Sequence, residues 1–271
     1  MTTIDLSQYG GEDRVISSLE MAEEIRARRK PTVKFFSKIP ALDRLLDGFE
    51  PGELVAISGP TKHGKSLLAQ TLTVNFLEQQ VFTLWFTFEL PPKQFLERFG
   101  DRTPLLYLPR IHRQANLKWL LDRIRESAAK YHTQAVVIDH LHYVFDIGRS
   151  KNPSIDIGTT IRTLKSLAVE MELVIFVLCH TVKAKADGGD VGYEGIRDSS
   201  FVGQESDVVL VVQRRPEKGE NLATISVELS RRTGVLKQRL WVSRVNGLLQ
   251  ETVIQEDAPK KGNGTKKYWD D

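Results

Sequence analysis

The sequence predicts an α/β fold with a mainly parallel central sheet, helices on both faces and an antiparallel extension at one edge. Three features carry that expectation. Apolar runs alternate with amphipathic stretches from Glu53 to Cys179. The runs are apolar at nearly every position, not at every second one, so both faces of each strand must be buried. The later part of the chain strings β-rich segments together with no helix-length stretch between them, which suits antiparallel pairing at an edge.

The elements follow in order. Glu12 to Arg29 sets Val15, Leu19, Ala22 and Ile25 at helical spacing among charges, and Pro31 ends that helix. Residues 1–38 therefore read as an arm. The apolar stripe of its helix covers either its own domain or a neighbouring copy. The main domain is expected over residues 39–254. ELVAIS (Glu53 to Ser58) is a buried strand and Lys65 to Gln79 a helix. VFTLWFTF (Val81 to Phe88) is the second strand, and a helix begins near Pro91 and Pro92. Asn116 to Lys130 is helical, AVVID (Ala135 to Asp139) is a strand, Ile157 to Glu172 is helical, and LVIFVLC (Leu173 to Cys179) is the next strand. Asp207 to Gln213, Ala223 to Ser230 and Lys237 to Ser243 form the late β-rich run. Residues 255–271, rich in Lys, Gly and Asn, are expected to be a disordered tail. No internal repeat is visible.

Composition narrows the class. Hydrophobic residues make up 41% and charged residues 27% of 271, ordinary for a globular protein. Cys179 is the only cysteine, so no intramolecular disulfide exists and a reducing, cytoplasmic setting fits. The start, MTTIDLSQYGGEDR, lacks the basic and apolar regions of a signal peptide. No apolar run approaches the ~20 residues that cross a bilayer, and no membrane partner is expected. The net charge of +3 is too small to argue for nucleic acid by itself. Basic residues do gather at Arg26 to Lys38, at Arg149 and Lys151, at Lys183 and Lys185, and at Arg231 to Arg239. Each gathering fits a solvated surface as well as a binding patch.

One motif carries chemistry. GPTKHGKS, residues Gly59, Pro60, Thr61, Lys62, His63, Gly64, Lys65 and Ser66, satisfies G-x-x-x-x-G-K-[ST] between an expected strand and an expected helix. Glycines let the backbone wrap phosphate oxygens closely, and the helix N-terminus adds partial positive charge. Lys65 is expected to reach the β- and γ-phosphates of ATP, and the Ser66 hydroxyl to coordinate Mg²⁺. Asp139 closes the apolar strand AVVID, at the crevice where parallel sheets bind ligands, and is the second candidate for holding Mg²⁺. Glu89 ends the neighbouring strand and is placed to orient an attacking water. The histidines His63, His112, His132, His140 and His142 show no convincing zinc spacing, and His140 with His142 reads as strand-end packing.

Beyond the motif, the chain resembles a family. KIPALDRLLDGFEPGELVAISGP is similar to the opening of RecA-like domains in the KaiC, RadA and DnaB groups. FTFELPPKQFLERF resembles the DnaB pattern F-S-L-E-M-P-x-x-Q-x-x-x-R, with Glu89 at the catalytic glutamate. VVIDHLHYV resembles V-I-D-Y-L-Q-L. IRDSSFVGQESDVVLVVQR resembles L-R-G-S-G-x-x-x-Q-x-x-D-x-V and puts Gln204 and Asp207 at matching positions. The likeness runs from about Ile39 to Val245 and implies a RecA-like P-loop NTPase fold. It further implies an ATP-dependent DnaB-like helicase acting as a homo-hexameric ring on single-stranded DNA, with a loader or primase among its partners.

Two departures bear on the site. His180 stands where bacterial DnaB has a γ-phosphate-sensing Gln; phage primase-helicases and Twinkle are similar in carrying His there, and a His can donate to a phosphate oxygen. SRRTG (Ser230 to Gly234) stands for K-x-R-x-G. Ser230 replaces the lysine, and Arg232, or Arg231 if the loop is one residue shorter, falls on the finger that reaches a neighbour's ATP. The resemblance places DNA loops at Phe145 to Ser154 and Val182 to Tyr193, and makes the Glu12 to Arg29 helix a linker that docks on the adjacent subunit. Residues 1–38 are too few for the N-terminal helical domain or primase of larger relatives. A RadA-type recombination ATPase forming filaments, and a nucleotide-gated loader or regulatory ATPase, are the competing expectations.

Overall fold

A computed structural model describes residues 7, 9–27, 33–100, 103–111, 116–140, 153–179 and 200–254. It divides into two units, Met1–Val33 and Lys34–Asp271. The His180 position, the loop Val182 to Tyr193, all but the last two residues of Phe145 to Ser154, and the tail 255–271 lie outside the described residues.

In the smaller unit, α1 (Ser18–Ala27) starts where the Ser17 hydroxyl accepts the Glu20 amide at 3.1 Å, the first half of a capping box. Arg14 reaches Glu20 at 3.6 Å and Glu24 at 3.7 Å. None of the residues of α1 is buried, and Val15, Leu19 and Ile25 are exposed.

The larger unit is built on one sheet. Among the described residues it holds eight strands in the order β2-β3-β4-β1-β5-β6-β7-β8. Strands β1 (Leu54–Ser58), β2 (Thr83–Thr87), β3 (Ala135–Asp139), β4 (Val174–Leu178) and β5 (Val208–Arg214) pair in parallel. Strands β6 (Leu222–Ser230), β7 (Leu236–Val245) and β8 (Leu248–Glu251) extend the β5 edge antiparallel. Helices α2 (Pro40–Leu46), α3 (Lys65–Leu77), α4 (Pro92–Glu97), α5 (Leu117–Tyr131), α6 (Pro153–Glu170) and α7 (Ser200–Glu205) complete the unit. This is the expected fold class. No described helix is long and apolar enough to cross a membrane.

The near-continuous apolar runs have the expected cause. Alternate residues of a strand point to opposite faces, and here each face has its own core. Val55, Ile57, Val137 and Phe176 pack with Phe49, Phe76 and Trp85 on one side. Leu54, Ala56, Val136, Ile138 and Ile175 pack with Leu120, Ile161 and Leu164 on the other. The buried Trp85 indole donates to Thr73 Oγ1 at 2.8 Å, so its polar group is satisfied. Boundaries move where local chemistry decides. α5 starts at its Asn116 cap, whose Oδ1 accepts the Trp119 amide at 3.0 Å. α6 begins at Pro153, earlier than Ile157, because proline's fixed φ suits a first turn.

Register positions the site. Ile57 pairs with Leu178, Leu178 with Asp139, and Asp139 with Thr87. The carboxyl ends of β1, β4, β3 and β2 therefore form one row, and whatever follows each strand emerges along a single edge.

Candidate nucleotide site

The phosphate loop leaves β1 at that edge. Gly59 has φ 144°, and a Cβ there would lie 2.2 Å from the Val212 carbonyl oxygen. Only glycine fits this approach of loop to β5. Gly64, at φ 101°, is the N-cap of α3, and no side chain caps the helix. The first-turn amides and the helix dipole are thus presented to a ligand rather than to a side chain. Lys65 is buried and donates to the carbonyls of Gly59 at 2.8 Å and Pro60 at 3.0 Å. Burial pushes its ammonium pKa down, and the charges of Asp139 and Glu89 partly restore it.

Ser66 Oγ donates to Asp139 Oδ2 at 3.0 Å, which ties α3 to the end of β3. Both residues line a cleft of about 420 Å³ together with Lys65, Glu89, Gln70, Arg98 and Arg244. Glu89, half exposed, sits with Oε2 3.9 Å from His140 Nδ1. A cleft with an uncapped helix start, a left-handed glycine at its N-cap and a buried Gln70 Nε2 with no partner among the described residues fits a phosphate chain. A Mg²⁺ ion would take Ser66 and Asp139 as protein ligands, with phosphate and water oxygens for the rest.

Burial pushes the Asp139 carboxyl up from its ordinary 3.8 to about 6; the Ser66 hydrogen bond opposes this, the Glu89 charge adds to it, and Lys65 and Arg98 oppose it. Since the folded pKa is the higher one, proton uptake stabilises the fold fully below pH 3.8, and that stability is lost as pH rises through about 6. At neutral pH the metal-free protein holds an unfavourable buried carboxylate, worth on the order of 3 kcal/mol. Asp139→Asn is expected to melt higher than the parent in EDTA at about pH 7.5, with the gap closing toward about pH 4. A variant that melts lower at both pH values contradicts this electrostatic reading.

A second cleft of about 200 Å³ lies beside the first and shares Lys62, Gly64, Leu67 and Arg244 with it. Apolar Leu67, Val212, Leu222 and Leu249 form its walls, with His63, Arg214 and Asn221 among its polar groups. The two clefts thus join a polar pocket at the start of α3 to a smaller space with apolar walls. A larger cleft of about 570 Å³, lined by Tyr107, Trp119 and Tyr131, holds none of the site residues.

The other expected residues fall elsewhere. Gln204 is exposed on α7 and does not line the phosphate cleft; its carbonyl accepts from Arg231. Arg231 Nε also donates to the Ser206 carbonyl at 2.9 Å. Arg232 is not a free hairpin arginine. Its Nε donates to Glu53 Oε1 at 2.9 Å, and its Nη2 to the carbonyls of Leu46 at 2.7 Å and Gly48 at 2.6 Å. Its Nη1 lies 3.4 Å from Glu50 and 3.6 Å from Asp47. Glu53 precedes β1, so this cluster sits at the opposite end of the sheet from the chain's own phosphate loop. Gln70, Arg98 and Arg244 were missed. Gln70 lies four residues after Ser66 and so on the same helix face, a usable signal. Arg98 closes the FTFELPPKQFLER segment. Arg244 reaches the cleft through β7 pairing, which local sequence does not announce.

Comparison with known proteins gives this geometry its relatives. The AAA domain family model matches residues 22–186. The chain belongs to the AAA domain family. The matched span contains the phosphate loop, Glu89, Asp139 and His180, and ends before Gln204 and Arg232. A protein described as "Probable plasmid replicative DNA helicase" from Chlamydia psittaci is 23% identical, over 95% of this chain and 64% of its own length. "Replicative DNA helicase DnaB" from Pasteurella multocida is 22% identical, over 80% of this chain and 56% of its own length. This AAA domain chain thus spans less than two thirds of each. A solved DnaB-like replicative helicase, described with its interactions with primase, superposes with a TM-score of 0.71 at 16% identity, covering 87% of this chain and 67% of that one. A solved ATPase domain matches with the same TM-score and is 97% covered. The fold is therefore the RecA-like ATPase fold of DnaB-like proteins.

Proposed function

We propose that the chain is an ATP-driven, DnaB-like motor that assembles as a homo-hexameric ring and moves on single-stranded DNA to unwind duplex during replication in the cytoplasm. The observation that carries this reading is the Ser66–Asp139 contact, in a cleft that also holds Lys65 and Glu89. These are the parts that phosphoryl transfer to water requires.

Lys65 exchanges its bonds to Gly59 and Pro60 carbonyls for phosphate oxygens, so its charge is already desolvated where it is needed. Glu89 orients the attacking water and accepts its proton. Ser66 and Asp139 would hold a Mg²⁺ ion, which would supply neutralisation of charge on the nucleotide phosphates. The neighbouring cleft takes sugar and base. The role of γ-phosphate sensor falls to His180, and that of a finger acting on the next subunit's nucleotide to Arg232. The exposed Val15, Leu19 and Ile25 stripe of the arm suits docking on an adjacent copy. A primase or loader is the further partner class, as one solved relative is described with primase.

ATP hydrolysis by the purified chain is expected to rise several-fold with single-stranded DNA. Glu89→Gln is expected to keep ATP affinity while hydrolysing about 10²–10⁴-fold more slowly. Hydrolysis indifferent to DNA removes the DNA motor. Affinity falling as steeply as turnover makes Glu89 structural.

A further inference from the structure

His63 lies within the phosphate loop, and its side chain reaches across to the end of β5. Its Nδ1 accepts the backbone N–H of Arg214, 3.1 Å away at the end of β5. A nitrogen that accepts cannot carry the proton, so the neutral ring holds its hydrogen on Nε2. Burial and the charges of Lys65, Arg214 and Arg215 keep its pKa below the ordinary 6.5, which preserves that acceptor at neutral pH.

The bond joins two parts with different ligands. On one side is the loop that wraps phosphates. On the other is the turn from Arg214 to Leu222, which walls the second cleft. That turn is internally fixed, because Arg214 Nη2 donates to the Glu220 carbonyl at 3.1 Å and the Arg215 amide to the Leu222 carbonyl at 2.9 Å. Gly59 and Gly64 also pack against Val212, two residues before Arg214, so the loop rests on the last residues of β5.

We propose that His63 is a positioning residue that couples the sugar-and-base cleft to the phosphate loop through its bond to the Arg214 amide. The inference rests on the two clefts holding one nucleotide. His63 secures the turn against the loop. A base entering the second cleft then meets a wall already registered with the phosphates.

The test compares ATP with inorganic tripolyphosphate, which has phosphates but neither sugar nor base. Binding of each is measured by calorimetry without metal, on the full chain and on Lys65→Ala, His63→Leu and His63→Asn. His63→Leu is expected to weaken ATP about fivefold, the worth of one hydrogen bond, and tripolyphosphate much less. His63→Asn, whose Oδ1 accepts at similar reach, is expected to restore ATP affinity. Nitrogen NMR of the His63 ring is expected to show Nδ1 bare and Nε2 protonated at neutral pH. Equal losses for both ligands in His63→Leu, no rescue by Asn, or a protonated Nδ1 overturns the proposal. If Lys65→Ala leaves both affinities untouched, the nucleotide-site reading fails instead.

Discussion

Lys65→Ala yields a folded chain that no longer turns over ATP. The side chain is buried, and among the described residues its hydrogen bonds go to the Gly59 and Pro60 carbonyls of the loop itself. Those carbonyls can take water once the side chain is gone. The fold should therefore melt near the parent temperature. Catalysis loses a preorganised, desolvated cation aimed at developing phosphate charge, an effect on the order of 10²–10³-fold for a single donor. Steady-state hydrolysis and a thermal melt on the same preparation check both halves. A well-folded variant retaining full hydrolysis removes the phosphate-loop assignment. A variant that melts far lower makes Lys65 a packing residue.

Much of the fold was legible because burial on both sheet faces writes itself into consecutive residues. ELVAIS, AVVID and LVIFVLC needed no periodicity to be read as interior strands. The short elements were not legible. β8 has four residues and α7 six, too few to register a pattern. α2 carries a proline start but only seven residues. In the site, the phosphate loop, Glu89 and Asp139 were readable since each ends or follows a strand, and parallel register brings strand ends together. Arg244, the second cleft and the bond between His63 and Arg214 arise from pairings across long stretches of chain, and no local pattern encodes them. The same holds for the Arg232 clamp. Its partners Glu53 and the Leu46 and Gly48 carbonyls lie about 180 residues away in sequence, so the sequence, which places Arg232 on the finger, does not announce them.

That clamp sharpens the central claim, which is that the catalytic site is completed by a second copy of the chain. Arg232 lies at the end of the sheet opposite its own phosphate loop, so any nucleotide it meets belongs to a neighbour. To reach it, the guanidinium must exchange Glu53, Glu50 and Asp47 for phosphate oxygens, a trade between anionic partners. Arg232→Ala leaves the buried Glu53 without its cation, while Lys34 still pairs with Glu50 and Asp47, at a cost of roughly 2 kcal/mol after allowance for exposure. It also removes charge stabilisation worth about 10³-fold or more where an arginine acts in trans. The decisive measurement mixes two inactive variants, Lys65→Ala and Arg232→Ala, and follows ATP hydrolysis. Arg232→Gln, whose amide nitrogen falls where the arginine Nε meets Glu53, replaces the alanine if that variant does not fold. In a mixed ring a Lys65→Ala subunit lends its intact Arg232 to a neighbour whose phosphate loop is intact. Part of the parent activity should therefore return on mixing and rise with total protein concentration. If the two variants demonstrably co-assemble and no activity returns, Arg232 does not act across the interface.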